Sequence, residues 1–142
     1  MLTVDEAKGV PLNLWRSARF ASLGQRIALL AAEGVCAWAG CSAPLSECDI
    51  HHAIAWVQGG ETNIGNLTAL RPAHHRRNND TRDHHGNSSH MEHDPFTGRA
   101  GLRRPVADRL EFNNSDAAEN SAGARVRRKF NGRAFQDPDP PF

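Results

Sequence analysis

Histidine and cysteine are the residues of this sequence whose number and spacing point to chemistry. The 142 residues include eight His and three Cys, and six of the His stand in adjacent pairs. Imidazole and thiolate are the side-chain donors that zinc and other divalent transition metals bind most readily. An odd number of Cys argues against a simple disulfide framework. The grouping therefore predicts a metal-binding protein.

Two of the His pairs offer the groups that hydrolysis of a phosphodiester requires. The phosphate oxygens are negative, so a cation has to take up charge while a base removes a proton from water, and His can serve in both roles. His51 and His52 lie on a predicted strand, where neighbouring side chains point to opposite faces and so have different tasks. His75 and Asn79 are four residues apart on a predicted helix, where they share a face and can bind one cation.

A second set of donors suits a structural metal ion. Cys36 and Cys41 form a predicted tight knuckle, and His74 follows downstream. Thiolate and imidazole ligands fit a tetrahedral zinc site. His74 points about 100° away from His75 around the predicted helix, which leaves it free for this second site. We therefore expect a zinc ion here that helps a small core to hold together.

The first element that has to support these groups is a helix over residues 22–33. Ser22 and Gln25 have the spacing of an N-terminal capping box, and Gly34 is a stop signal. Apolar residues recur behind the cap at helical spacing, which predicts one buried face. The residues expected on that face are Leu23, Ile27, Leu30 and Ala31.

Two strands and a second helix follow. Residues 48–57 are typical of a strand and its exit, and residues 66–70 of a second short strand. Pro72 suits the first position of a helix that continues from His74 to about Arg82. The predicted fold class is α+β, with an N-terminal helix followed by a ββα unit. Residues 1–21 are predicted to be a lead-in segment.

Residues 83–142 are predicted to form a largely irregular or flexible tail. Their polar composition shows no periodicity, although a hairpin near 99–112 remains an alternative. We expect the four His residues of the stretch to be solvated; they are His84, His85, His90 and His93. The basic cluster Arg125–Lys129 is either a DNA-binding arm or a disordered surface segment.

Bulk composition excludes few functions. The mean hydropathy of -0.59 and the net charge of +1 indicate neither a membrane protein nor a strongly basic nucleic-acid binder. Without a membrane-spanning run or a secretion signal, a cytoplasmic location is the default expectation. Nearly all of the 17 basic residues are Arg, which favours either bidentate phosphate contacts or simply a GC-rich genome.

In their order, these motifs resemble the HNH endonuclease family. The resemblance is closest to actinobacterial and actinophage proteins that end in this module. It covers residues 14–80 and includes Arg16–Phe20 and Gln25–Leu29 upstream. The motifs are Cys36-x4-Cys41, Asp49-Ile50-His51-His52, Trp56, Gly59-Gly60-x-Thr62, Asn66-Leu67 and His74-His75.

The resemblance implies a ββα-metal DNA endonuclease domain within residues 22–82. It places the general base at His52 and gives Asn66 the task of holding the loop that orients the base. The catalytic cation, which is Mg²⁺, Mn²⁺, Ni²⁺ or Zn²⁺, is then held by His51, His75 and Asn79. The residues implied for structural Zn²⁺ are Cys36, Cys41 and His74. Basic residues expected to contact DNA phosphates are Arg71, Arg76, Arg77 and Arg82.

One position departs from the family pattern. Arg71 stands where these proteins usually have the fourth zinc ligand, a Cys, and a guanidinium cannot coordinate zinc. Either zinc binds through three residues and another donor, for which Cys48 is a candidate, or the zinc site is lost, or the chain is a decayed copy. Three other interpretations stay open: a non-catalytic zinc-stabilised nucleic-acid-binding module, a toxin-like nuclease domain, and a metal-stabilised domain without a DNA role. Target specificity, biological setting and oligomeric state are left undetermined.

Overall fold

The computed structural model describes residues 4–5, 10–11, 13–83 and 85–131. The described residues form four helices and three two-stranded antiparallel sheets, which confirms the α+β class. In chain order the elements are β1 (Val4–Asp5), β2 (Val10–Pro11), α1 (Leu23–Ala32), β3 (Asp49–His52), β4 (Leu67–Leu70), α2 (Pro72–Arg77), β5 (His90–His93), β6 (Ala100–Arg103), α3 (Asp116–Glu119) and α4 (Ala122–Asn131).

Strands β3 and β4 and helix α2 form the ββα unit that the sequence predicts. The strands are antiparallel, with His51 opposite Thr68 and His52 opposite Leu67. Pro72 begins α2 at its first position, as expected. The helix is shorter than predicted, because it ends at Arg77 rather than near Arg82. A contact distant in sequence explains this end: the side-chain oxygen of Asn78 accepts a hydrogen bond from the Met91 amide of β5.

Helix α1 has the predicted cap but buries a different face. Ser22 and Gln25 make both hydrogen bonds of the capping box. The buried residues are Gln25 and Leu29, whereas the expected core residues of this helix, Leu23 and Leu30, are 73% and 53% exposed. Ile27 and Ala31 are exposed as well. The face is set by the Gln25 amide, which satisfies its polarity by donating to the Thr62 carbonyl at 2.9 Å.

Residues 90–131 contain more regular structure than the sequence pattern predicts. Strands β5 and β6 pair as a hairpin, and Met91 and Leu102 are completely buried against Cys36. Only four residues of each strand are paired, too few for a periodic signal. His90 and His93, expected to be solvated, are buried and half-buried, and the His93 ring donates to the Leu67 carbonyl at 3.0 Å. His85 is exposed as predicted, whereas His84 and residues 132–142 lie outside the described residues.

The C-terminal segment also supports the predicted zinc knuckle. The buried Asn113 side chain donates to the carbonyls of Cys36 and Cys41, at 2.7 and 2.6 Å. The cluster Arg125–Lys129 lies on α4, which packs against α1. No helix in the described part of the chain combines the length and the apolar character needed to cross a bilayer.

Candidate active site and metal centre

A cleft of about 260 Å³ lies between strand β3, helix α2 and the start of α1. Three of the predicted site residues, which come from β3 and α2, share this cleft although they are distant in sequence. The titratable residues that line it are His51, His52, His75, Asp80, Arg19 and Arg26.

His51 has the properties of a metal ligand in this cleft. Its side chain is 3% exposed, and its Nε2 atom is buried without a hydrogen-bond partner. Burial, together with the neighbouring His75, lowers the pKa of His51 to about 4, so the ring is neutral at physiological pH. A neutral imidazole with an unshared lone pair is the form that binds a cation. A buried polar atom of this kind is costly unless something occupies it.

His75 lies beside His51 and is oriented by a carboxylate. The two rings are 5.0 Å apart and nearly perpendicular. The Nδ1 atom of His75 is 3.3 Å from the carboxylate of Asp49 on β3. Donation of the Nδ1 proton to Asp49 leaves Nε2 free, and metal-binding His residues usually have such a partner. Thus Asp49 orients His75, a contact that sequence spacing alone does not reveal.

His52 is held by a hydroxyl group rather than by a carboxylate. Its Nε2 atom is 2.9 Å from the Thr62 hydroxyl, which itself donates to the Arg19 carbonyl at 3.2 Å. Because that hydroxyl has a single proton, it accepts from Nε2–H, and the lone pair of the neutral ring is on Nδ1. Burial, followed by the charges of Arg19 and Arg16, lowers the pKa of His52 below its usual value. The ring is therefore ready to accept a proton at neutral pH.

Asn66 closes the loop between β3 and β4. Its side chain accepts from the Ile54 amide at 2.8 Å and donates to the carbonyls of Ile54 and Glu61. Its backbone carbonyl accepts from the Ala53 amide at 2.8 Å. These four hydrogen bonds join both ends of the loop just after His52. The geometry is the one expected of a residue that holds this loop.

The same loop requires glycine at position 60. A Cβ atom added to Gly60 would lie 1.7 Å from the Ile54 carbonyl oxygen, so the backbone would have to move. We expect Gly60→Ala to lower the free energy of unfolding by about 2 kcal/mol or more, as overpacking does. Urea unfolding measures this. Gly65→Ala in the same loop is the control, because a Cβ there meets nothing within 4 Å. Equal stability of the two variants would contradict the close contact between Gly60 and the Ile54 carbonyl.

Asn79 does not share a helix face with His75. The chain leaves α2 at Arg77, and the Asn79 side chain turns to Thr81 and Asp83 with hydrogen bonds of 2.7 Å to each. The helical spacing from which the sequence predicts a shared cation is therefore absent. Asp80, which the sequence analysis passed over, lines the cleft instead, with its Oδ1 atom 4.0 Å from His51 Nε2.

The predicted phosphate-binding Arg residues differ in their surroundings. Arg82 is a structural residue, since its guanidinium donates to the carbonyls of Ala53 and Met91. Arg77 lies over the Trp38 ring, 5.5 Å from its centroid. Arg71 and Arg76 are exposed.

Two cations that the sequence pattern did not indicate line the cleft itself. Arg19 and Arg26 come from the segment before α1 and from its first turns, and both are exposed. Arg16 lies nearby, where it donates to the Trp56 and Gly60 carbonyls and covers the Trp56 ring. Their positions upstream of the ββα unit gave no signal that they would face its histidines.

Cys36, Cys41 and His74 come together at a different face of α2, away from the cleft. Their ligand atoms lie within 4.8 Å of one another, so the group can hold a metal ion. The His74 ring stacks on Trp38 at 5.0 Å, and burial, followed by Arg71 and Arg77, lowers the pKa of His74. Burial raises the pKa of the Cys36 thiol to about 11, so a cation is needed to stabilise its thiolate.

The fourth ligand position of this group has no Cys. Arg71 is exposed and approaches the group only through its backbone amide, which donates to Cys36 Sγ at 3.4 Å. Cys48 packs against the same core cluster. Burial raises its pKa to about 12, with further contributions from Cys36 and Cys41. All three Cys are free thiols.

Comparison with known proteins identifies the ββα region. Residues 35–81 match the family model described as HNH endonuclease. Relatives include uncharacterized protein Rv1128c of Mycobacterium tuberculosis, 35% identical over 68 residues that make up 48% of this chain and 15% of the relative. Uncharacterized protein Mb1179c of Mycobacterium bovis is 41% identical over 64 residues, 45% of this chain and 14% of the relative. No solved structure matches the chain significantly.

The matched relatives are much longer than the aligned region. The chain spans 14–16% of the length of these curated relatives. Their mycobacterial source agrees with the actinobacterial resemblance of the motifs. A domain of this family indicates a nuclease or nucleic-acid-binding function.

Proposed function

Since residues 35–81 match the family model described as HNH endonuclease, we propose that this chain is a metal-dependent DNA endonuclease. One observation supports the proposal most strongly. The cleft combines a buried His51 whose Nε2 atom has no partner with a neutral His52 that is held by Thr62. A module that only binds zinc has no need for either group, because the Cys36 cluster is a separate site.

The donors in the cleft fit a divalent cation. His51 and His75 are neighbouring imidazoles, and each has a nitrogen free of intramolecular hydrogen bonds. A cation bound there supplies positive charge that stabilises the negative oxygens of a phosphodiester during hydrolysis. Two imidazoles favour Ni²⁺ or Zn²⁺, while Mg²⁺ and Mn²⁺ prefer oxygen donors.

In this mechanism His52 is the general base. Its Nε2–H stays on the Thr62 hydroxyl, and its Nδ1 atom takes a proton from water. The water oxygen forms a bond to phosphorus, the bond from phosphorus to the 3′ oxygen breaks, and the released 3′ oxygen takes a proton from solvent. The products have 5′-phosphate and 3′-hydroxyl ends. Asn66 keeps the loop after β3 closed, so the base has a defined position.

The charge around the cleft suits a polyanion. Arg19 and Arg26 line the cleft beside the histidines, where they can contact the phosphates on either side of the scissile bond. Arg71 at the N-cap of α2 and Arg76 in its last turn are further exposed cations of the ββα unit. We expect little contribution from Arg82, because it is half-buried and its Nη2 group donates to the Ala53 and Met91 carbonyls.

Measuring both binding and cleavage of one labelled DNA duplex distinguishes an endonuclease from a non-catalytic zinc-binding module. We expect the protein to bind the duplex in EDTA without cutting it. We expect it to cut the duplex when the concentration of Mn²⁺ or Ni²⁺ is higher than that of EDTA. Mapping the ends should find 5′-phosphates. Metal-independent binding without cutting in any metal would favour the non-catalytic zinc module.

The hydroxyl of Thr62 should be needed for the activity of His52. Thr62→Val keeps the shape of this buried residue but leaves His52 Nε2–H without its acceptor. We expect cleavage to slow by about tenfold or more, a part of the 10²–10⁴-fold that a general base contributes. Thr62→Ser retains the hydroxyl and should recover most of the rate.

Cleavage rates of both variants, with their thermal midpoints, measure this role. The serine variant distinguishes positioning from packing, because it lacks a methyl group but keeps the hydrogen bond. A valine variant as active as the wild type, or a serine variant as impaired as valine, would rule out the positioning role.

We also propose that Cys36, Cys41 and His74 hold a structural zinc ion. The grouping of their ligand atoms supports this, as does the backbone amide of Arg71 that donates to Cys36 Sγ. Cys48 is the nearest thiol that can complete the site, because it packs on the same cluster.

A further inference from the structure

The last described helix, α4, concentrates positive charge that the proposed mechanism does not use. Its ten residues include four cations and no carboxylate. Like charges that are neighbours on a helix destabilise it, about as much as opposite charges stabilise it. A helix of this composition is therefore favoured when an anionic partner lies against it.

One side of α4 is occupied by its packing against α1. Ala124 is buried, and a Cβ atom added to Gly123 would lie 1.9 Å from the Ala32 carbonyl oxygen. Arg127 is half-buried, and its guanidinium donates to the same carbonyl at 3.3 Å. These contacts fix the rotation of α4 about its axis, so its opposite side faces the solvent.

The other three cations share that exposed side. Arg125, Arg128 and Lys129 are all exposed, and their spacings of three and four residues make them neighbours on one face. Arg128 contacts the carboxylate of Glu119 at 3.2 Å. Arg125 and Lys129 have no ion pair in the described part of the chain. Two adjacent positive charges on this face are thus left uncompensated.

The partner that fits this face is a nucleic-acid backbone rather than a lipid surface. A helix that lies on a membrane needs a wide apolar face beside its cations. On α4 the side opposite the cations is packed against α1, and Val126 is the large apolar side chain that the structure describes as exposed. DNA phosphates present closely spaced negative charges and require no apolar contact.

Helix α1 connects this face with the cleft. Arg26 in the first turns of α1 lines the cleft, and Ala32 at its end contacts α4. A helix of this length spans about 15 Å, which is less than half of the roughly 34 Å that one turn of a DNA duplex covers. A duplex bound at the cleft is therefore long enough to reach α4.

From this placement we infer that Arg125, Arg128 and Lys129 form a second DNA-backbone contact, separate from the cleft, that binds duplex DNA without regard to its sequence. The inference rests on the proposed function for the identity of the polyanion. It assigns part of the affinity to α4 and the cleavage to the cleft, so that each can be changed without the other.

The test measures the Kd for one labelled duplex over a range of salt concentrations, with zinc-loaded protein dialysed free of unbound metal. We expect the double variant Arg125→Gln/Lys129→Gln to weaken binding at low salt by at least about tenfold. It should lower the slope of log Kd against log salt by about 2, because each lost phosphate contact removes about 0.9. Its single-turnover cleavage rate in Mn²⁺ at saturating protein should stay within about twofold of the wild type, since the cleft is unchanged.

The double variant Arg104→Gln/Arg109→Gln is the matched control. It removes the same net charge from two exposed residues that follow β6. Its affinity and its salt slope should remain near the wild-type values. Thermal midpoints establish that both variants are folded.

The outcomes separate this inference from the proposed function. Unchanged affinity and slope in the folded α4 variant, or equal losses in the two double variants, would overturn the second contact even if the wild type cuts DNA. Binding that depends on Arg125 and Lys129 in a protein that cuts no DNA would keep the contact and refute the nuclease. Wild-type protein that binds phosphatidylserine vesicles through these residues but does not need them for the duplex would also overturn the contact.

Discussion

Replacing His52 with alanine should lower the rate of metal-dependent DNA cleavage by about 10²–10⁴-fold, the contribution typical of a general base. His52 is neutral, half-buried and held at Nε2 by Thr62, so its loss removes the proton acceptor of the cleft. The metal donors His51 and His75 are untouched. We therefore expect DNA binding and Mn²⁺ affinity to stay near their wild-type values. Single-turnover cleavage of a labelled duplex measures the rate.

His85→Ala is the matched control for this experiment. His85 is exposed, lies outside the cleft and makes no side-chain contact needed by the mechanism. Its removal should leave the cleavage rate within about twofold of the wild type, as surface substitutions usually do. Cleavage by His52→Ala at the wild-type rate would exclude His52 as the base.

The second large effect concerns the zinc group. We expect zinc to raise the thermal midpoint of the metal-free wild-type protein by about 10 °C, because an ion at 1,000 times its Kd adds about 4 kcal/mol of stability. Cys41→Ser should abolish the zinc-dependent part of the shift. Cys36 and Cys41 belong to the main core cluster with Leu70, Met91 and Leu102, so the ion stabilises the centre of the fold. Scanning calorimetry with and without zinc provides the measurement.

Cys48→Ser tests whether Cys48 is the fourth zinc ligand or whether another donor completes the site. If Cys48 is the fourth ligand, its substitution weakens zinc binding but leaves a shift that returns at higher zinc concentration. The same midpoint for wild-type protein with and without zinc would show that the site was lost with the change to Arg71. A shift that persists unchanged in Cys41→Ser would place the ion elsewhere.

Short-range signals in the sequence predicted much of the site. The capping box of Ser22 and Gln25 and the position of Pro72 are local features, and both are confirmed. The strand that presents His51 and His52 is present as well. The metal roles of His51 and His75 and the base role of His52 stay predictions, which the experiments above address.

Contacts between distant segments explain what the sequence did not show. The buried face of α1 depends on a hydrogen bond from Gln25 to Thr62, which apolar periodicity cannot represent. The early end of α2 depends on Met91 of β5, and it is this end that turns Asn79 away and brings Asp80 to His51. The alternative of a hairpin near 99–112 is partly matched: β6 lies in that range and Leu102 forms an isolated antiparallel bridge with Glu111, but the main partner of β6 is β5, upstream of the range.

Plasmid nicking by zinc-loaded wild-type protein, before and after Mn²⁺ is added to a sample dialysed free of unbound metal, tests the central claim most directly. We expect supercoiled DNA to remain intact before the addition and to be nicked after it, with the structural zinc retained throughout. A folded, DNA-binding protein that nicks nothing in Mn²⁺, Ni²⁺, Mg²⁺ or Zn²⁺, or one that nicks equally well in EDTA, would contradict a metal-dependent endonuclease.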